Sequence, residues 1–354
     1  MKGYSGAVMN KTVTAVYSLV HFVVDLCCAV LVTNLTLQKT NEAFALFFAV
    51  IIYNFCAFAL QLPIGIIADR VSKNALFSAF GCLLVGAGYF FMSAPLAACI
   101  IAGLGNAMFH IGGGIDVLNL SGKRAAPSGI FVSTGALGIF LGAKQQVAVF
   151  ALRGIVPAVL IASAVALVFL YIKTRERRNR TLSIPDIDVK LIISVVCLFV
   201  TVCIRSYVGM ILAYEWKSIT ALAVLSIIAV ILGKMLGGII GDKVGFIAVS
   251  VASLGVSAVC FIFSFDIAAL GIIAILLFNM TMPITLTALA GIFENAKGTA
   301  FGLLTLALFV GALPKFFGYT ALFTPAGLFA LTAVSAVILF IGLKLYYRLE
   351  EVKR

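Results

Sequence analysis

Apolar residues run along this chain in long blocks. Twelve stretches are dominated by aliphatic and aromatic side chains, at 13–35, 43–68, 75–93, 95–120, 127–149, 152–173, 190–214, 218–241, 245–265, 266–291, 297–320 and 324–347. Each matches the roughly 20 apolar residues that a bilayer crossing needs. A lone span must be helical, because only a helix bonds all its own N–H and C=O groups. The pattern therefore predicts an all-α integral membrane protein of twelve transmembrane helices. The first block is too long for the core of a cleaved signal peptide and carries Asp25 at its centre, so it is expected to be a retained span.

Composition agrees. Of 354 residues 63% are hydrophobic and 11% charged, against about 45–50% and about 25% in soluble domains. Basic residues in short loops favour the cytoplasmic side. With the N-terminus inside, eighteen lysines and arginines fall in inner segments, and only Lys39, Arg153 and Lys217 in outer ones. Both termini are thus expected to be cytoplasmic in a multi-pass cell (plasma or inner) membrane protein. The net charge of +12 is a consequence of that topology, which leaves the lipid bilayer as partner and no role for nucleic acid. Trp216 and the Tyr346–Tyr347 pair are expected at the membrane interface. The eight cysteines lie within spans without ligand-like spacing, as small buried apolar side chains.

The one long polar interruption, KTRERRNRTLSIPDIDVK at 173–190, separates six spans from six. Residues 65–71 read GIIADRV and residues 238–244 read GIIGDKV, a shift of 173 positions that also carries Asn106 onto Asn279 and Gly129 onto Gly302. The expected organisation is an N-terminal six-helix bundle at 1–173, a cytoplasmic linker at 174–189 and a C-terminal six-helix bundle at 190–354.

Ionisable side chains inside a bilayer cost about 2.5–3.5 kcal/mol each on insertion scales, so each should be paired or functional. This chain keeps Asp25, Asp116, Lys144, Arg205, Lys234, Lys315 and its only two histidines, His21 and His110, within spans. His21, Asp25, Asn106, His110, Arg205 and Asn279 fall roughly 12–22 Å from the inner ends of their spans at about 1.5 Å per residue. His21 and Asp25 share a helix face at four-residue spacing, as do Asn106 and His110. The histidines with Asp25 could carry a proton, or each could simply bond a neighbouring helix. Arg205 offers a planar fork suited to a carboxylate, phosphate or phosphonate, or is the permanent partner of Asp25. Asn106, Arg205 and Asn279 are the candidate solute ligands. Asp116 is expected to pair with Lys123, Arg124 or a neighbouring helix, outside the central site. Lys234 is a candidate for the second-half gate. Lys144 and Lys315 either snorkel to the interface or serve an outer gate.

Gly65-Ile-Ile-Ala-Asp69-Arg70-Val-Ser-Lys73 resembles the signature loop of the major facilitator superfamily, with Ser72 where that pattern has a second glycine and Asn74 where it has a second trailing basic residue. Two six-span halves joined by a cytoplasmic linker also resemble that architecture. The resemblance implies that spans one, four, seven and ten line a central cavity. It also implies that Asp69, Arg70 and Lys73, with Asp242 and Lys243 in the second half, are conformational gates. His21-x-x-x-Asp25, Gly105-Asn-Ala-Met-Phe109-His110, the stretch from Ser128 to Gly142 and Arg205-Ser206-Tyr207-Val208-Gly209 further resemble the fosmidomycin-resistance exporters. The chain departs from that group at Ile111 and Gly112, where proline and an acidic residue are usual, and at Ala143.

The function expected is proton-coupled efflux of a small anionic or zwitterionic solute or drug by alternating access, the protein acting as a monomer by family analogy. The alternative is proton-coupled uptake of a small organic anion. A non-transporting receptor is the other class to test. Enzyme motifs are absent, including His-Glu-x-x-His and Gly-x-Ser-x-Gly, so no enzymatic activity, cofactor or metal is expected.

Overall fold

The computed structural model describes residues 2–37, 43–144, 153–174 and 188–352. Lys39, the 353–354 terminus and all of the linker but residues 174, 188 and 189 lie outside these. Regular structure among the described residues is helical throughout. Among the described residues ten helices are long and apolar enough to cross a membrane, and two shorter apolar helices stand beside them in the chain order. In chain order they are α1 (Asn10–Thr36), α2 (Leu46–Val71), α3 (Asn74–Phe91), α4 (Pro95–Ser121), α5 (Ala126–Gly142), α6 (Ile155–Ile172), α7 (Val189–Ile211), α8 (Thr220–Val244), α9 (Phe246–Ile262), α10 (Ala268–Ile292), α11 (Lys297–Phe316) and α12 (Pro325–Glu351). Each stands on one of the twelve apolar blocks. Large side chains left outside the packing, such as Leu19, Val165 and Ile172 at 63–67% exposure, suit contact with lipid rather than water. The protein is a multi-pass membrane protein.

Helix ends follow from local chemistry. Pro95 and Pro325 begin α4 and α12, where a missing N–H costs nothing. α2 ends at Ser72 with φ 55°, and α8 ends at Gly245 with φ 103°. The two positions are 173 apart (245 − 72), and in each the N–H turns back to a carbonyl four residues earlier. A left-handed conformation costs a non-glycine residue about 1–2 kcal/mol, so Ser72 is strained where its repeat partner is relaxed. Its hydroxyl reaches Asp69 O only at 3.4 Å. Ser72→Gly should therefore raise the thermal unfolding midpoint; a lowered midpoint would show that the hydroxyl outweighs the strain. α2 contains a π-turn at Phe55–Ala59. α10 is interrupted at Met280, next to the point where Pro283 denies the Asn279 carbonyl its in-helix donor.

The chain forms two compact units. Unit 1 comprises Met1–Leu120, Thr134–Ser183 and Asn295–Leu306; unit 2 comprises Ser121–Ser133, Ile184–Glu294 and Ala307–Arg354. Each unit thus takes most of one sequence half and a short stretch of the other, and those two stretches correspond under the 173-residue shift. In unit 1 α3 packs along α6, and in unit 2 α12 packs along α7 and α9. Two of the three expected interface aromatics are used inside unit 2. Tyr346 is buried over Gly291, where a Cβ would lie 2.7 Å from its hydroxyl. Trp216 stacks on Tyr214 at 4.8 Å and donates Nε1–H to Ser264 O. Among the described residues all eight cysteines are free thiols, six of them buried.

Candidate functional site

In unit 1 the four-residue spacings of α1 and α4 bring His21, Asp25, Asn106 and His110 together, all within 9% exposure. His21 Nε2 lies 3.1 Å from Asp25 Oδ2, and His110 Nε2 lies 3.5 Å from Asp25 Oδ1. The two Nε2 atoms are 2.8 Å apart, with the rings edge to face. Asn106 donates its amide to Asp25 Oδ1 at 3.1 Å and to Cys28 Sγ at 3.5 Å. α5 closes the site with Gly135, where a Cβ would fall 2.3 Å from both Asp25 Oδ2 and His21 Nε2. Any larger residue there would displace the pair.

These contacts fix where hydrogens sit. His110 Nδ1 is 2.9 Å from the Asn106 carbonyl, which can only accept, so Nδ1 carries the hydrogen and neutral His110 presents a lone pair at Nε2. A 2.8 Å approach of two ring nitrogens then requires the hydrogen between them to belong to His21, shared with Asp25. With both imidazoles neutral and Asp25 ionised, the cluster holds a net charge of −1. The ligand atoms of the three residues lie within 4.8 Å of one another, so a cation could also meet them. One added proton leaves the cluster neutral, whereas a divalent ion would leave an uncompensated buried charge, which is costly away from water. Asn106 thus serves Asp25 with its side chain and His110 with its backbone, although it was expected among the solute ligands.

Unit 2 holds the other mid-span candidates. Arg205, 7% exposed, donates Nη1 to Thr285 Oγ1 at 3.1 Å, and Thr285 in turn donates to Met282 O. Within unit 1 Asp25 faces the two histidines. Asn279 donates back to Ile275 O on its own helix. The Lys234 ammonium is 3.4 Å from Val132 O.

The two signature aspartates make matching contacts. In unit 1 Asp69 accepts the N–H groups of Gly298 and Thr299 at 2.7 and 2.8 Å and the Thr299 hydroxyl at 2.8 Å. In unit 2 Asp242 accepts the N–H groups of Ala125 and Ala126 at 2.6 and 3.0 Å. Acceptors and donors are each 173 positions apart (242 − 69, 298 − 125, 299 − 126). Each carboxylate thus sits at the start of a helix from the other sequence half, where unpaired N–H groups and the helix dipole favour negative charge. Arg70, Lys73 and Lys243 are exposed.

A neighbouring helix is among the partners expected for Asp116, and two neighbouring helices supply one each, the Tyr17 hydroxyl and the Asn74 amide. Lys123 pairs with Glu294 at 2.6 Å and with Glu350. Partial burial pulls its ammonium down, but the two carboxylates more than offset this and hold it above the usual lysine range. No local sequence signal links positions 123, 294 and 350. Tyr17 could have been found, since 17, 21 and 25 continue one helical stripe. Lys144 lies over the Phe140 ring at 4.7 Å.

No protein-family profile and no curated protein matches the sequence. Solved structures do match the fold. The E. coli fucose:proton symporter FucP aligns with a TM-score of 0.64 at 12% identity, over 94% of this chain and 98% of that one. A bacterial homologue of the iron transporter ferroportin, in an outward-facing state, aligns at 0.62 and 15% identity, over 96% and 99%. The human organic anion transporter MFSD10 aligns at 0.66 and 14% identity, over 94% and 99%. At these identities the likeness is one of fold: the chain has the all-helical major facilitator fold, and these neighbours are transporters rather than enzymes.

Proposed function

We propose that this protein is a secondary active transporter working by alternating access, with a proton bound in unit 1 and an anionic or zwitterionic solute held in unit 2. The observation that carries the proposal is the 2.8 Å contact between His21 and His110 beside Asp25. That contact tolerates one hydrogen between the two nitrogens. A second proton, added to His110 Nε2, sets two N–H groups against each other, so His110 must turn toward Asp25 Oδ1. Proton uptake thereby converts a net charge of −1 to zero and rearranges side chains on α1 and α4. This is the kind of local two-state change that a coupled transporter needs.

Arg205 supplies the solute site. A guanidinium carries five N–H donors, and one bonds Thr285, leaving the fork suited to bidentate recognition of a carboxylate or phosphonate. Asp69 and Asp242, with Arg70, Lys73 and Lys243 on the same loops, form the gates at the cytoplasmic end. Both termini are cytoplasmic, and the protein works as a monomer in the cell membrane. Export, with fosmidomycin-like phosphonates among the solutes, follows from the resemblance at the mid-span motifs; uptake would use the same parts. A fucose:proton symporter and an organic anion transporter share the fold, which supports both the proton and the anion.

The test is thermal stabilisation of purified protein by a panel of phosphonates and carboxylates, fosmidomycin included, since a ligand raises stability by mass action. Hydrogen bonds to charged groups contribute about 1.5–3 kcal/mol, so Arg205→Ala should weaken any stabilising anion by about ten- to a hundredfold. A stabilising anion with unchanged affinity for Arg205→Ala would remove Arg205 from the solute site.

A further inference from the structure

Asp116 has no part in the mechanism above, yet it is a carboxylate 2% exposed inside unit 1. It lies six residues from His110 along α4, about 9 Å toward the basic end of the unit. Tyr17 lies four residues from His21 along α1, about 6 Å in the same direction. Tyr17 donates its hydroxyl to Asp116 Oδ2 at 2.6 Å, and Asn74, the first residue of α3, donates Nδ2 to Oδ1 at 2.9 Å. An amide at position 116 would tie the three helices together without the cost of a carboxylate in the membrane.

A second observation bears on its role. Asn74 Oδ1 is buried without a hydrogen-bond partner, so an acceptor stands idle beside the carboxyl. Turning the Asn74 amide over exchanges its oxygen and nitrogen. With Asp116 charged, Nδ2 donates to Oδ1; with a proton on Asp116 Oδ1, the turned amide accepts it. Tyr17 serves Oδ2 in both cases. The carboxyl is hydrogen-bonded in either charge state. The groups around it include the Tyr17 phenol from α1, the Asn74 amide from α3 and, further along α4, His110; Lys297 of α11 donates to Leu118 O two residues on.

We propose that Asp116 is a second proton-carrying residue, which exchanges protons between the cytoplasmic end of unit 1 and the His21–Asp25–His110 cluster. The proton adds to Oδ1 as Asn74 turns to accept it, and leaves as the amide turns back; only an O–H bond forms and breaks. The proposal rests on reading the cluster as the proton site.

The test uses the full-length protein in lipid, with the proton itself as probe, by infrared difference spectroscopy between acid and alkaline buffer. Asp116→Asn should remove one carboxylic C=O component that appears on acidification, and Tyr17→Phe should shift that component without removing it. Spectra identical to wild type in both variants overturn the proposal. If Asp116→Asn does not fold, Tyr17→Phe decides alone, because an acid that never takes a proton has no carboxylic band to shift. A purely structural role moves neither band. The cluster reading is judged separately by proton-driven flux in Asp25→Asn, so the two can fail independently.

Discussion

Asp25→Asn should abolish the ability of a pH gradient to drive flux of fosmidomycin, or of any anion found to stabilise the protein, while leaving exchange of that solute across vesicles without a gradient close to wild type. The change keeps size and shape but removes the charge that both histidines face at 3.1 and 3.5 Å. Hydrogen bonds to a charged group contribute about 1.5–3 kcal/mol, which corresponds to a tenfold or greater loss in the preference of His110 for the protonated, turned state. Exchange needs no net proton movement, so it reports whether the variant still folds and cycles. Retained gradient-driven flux would sink the cluster as the coupling site, and loss of both activities would show that Asp25 acts on folding or solute binding instead.

The second large effect is expected at Asp69. Its carboxylate accepts two backbone N–H groups and a hydroxyl at the start of α11, and the helix dipole there adds about 0.3–1 kcal/mol. Asp69 is half-buried, so screening by water places each contact near the lower end of its range. Asp69→Ala should nonetheless free the Gly298 and Thr299 amides, raising their hydrogen-exchange rates by about ten- to a hundredfold, which is about 1.4–2.8 kcal/mol of lost protection. Asp242→Ala should do the same at Ala125 and Ala126 but less strongly, because Asp242 is exposed and accepts two bonds. Unchanged exchange in both variants would mean that these caps do not form in the membrane, and the gate assignment would fall with them.

The twelve helices were legible because each buries or exposes to lipid a whole apolar block, and the bilayer length sets how long a block must be. Their breaks at Pro95, Ser72 and Gly245 follow from single residues. The 173-residue repeat was legible as well, because both halves keep the same turn. The pairings His21–Asp25 and Asn106–His110 could be read from helical spacing, which fixes neighbours on one helix.

Contacts between helices could not be read in this way. That His21 meets His110 in addition to Asp25 on its own helix depends on α1 lying against α4, and on Gly135 leaving room beside the pair. Asp69 reaches a helix 229 positions away, and Lys123 meets Glu294 and Glu350. Tyr17 and Asn74 find Asp116 from two other helices. The sequence by itself determined which residues are too polar for a bilayer and must find partners, because the desolvation cost belongs to each side chain alone. Which partner each one took was decided by tertiary structure, since hydrogen bonds and ion pairs need atoms within about 3 Å, and only the packing of helices distant in sequence brings them there.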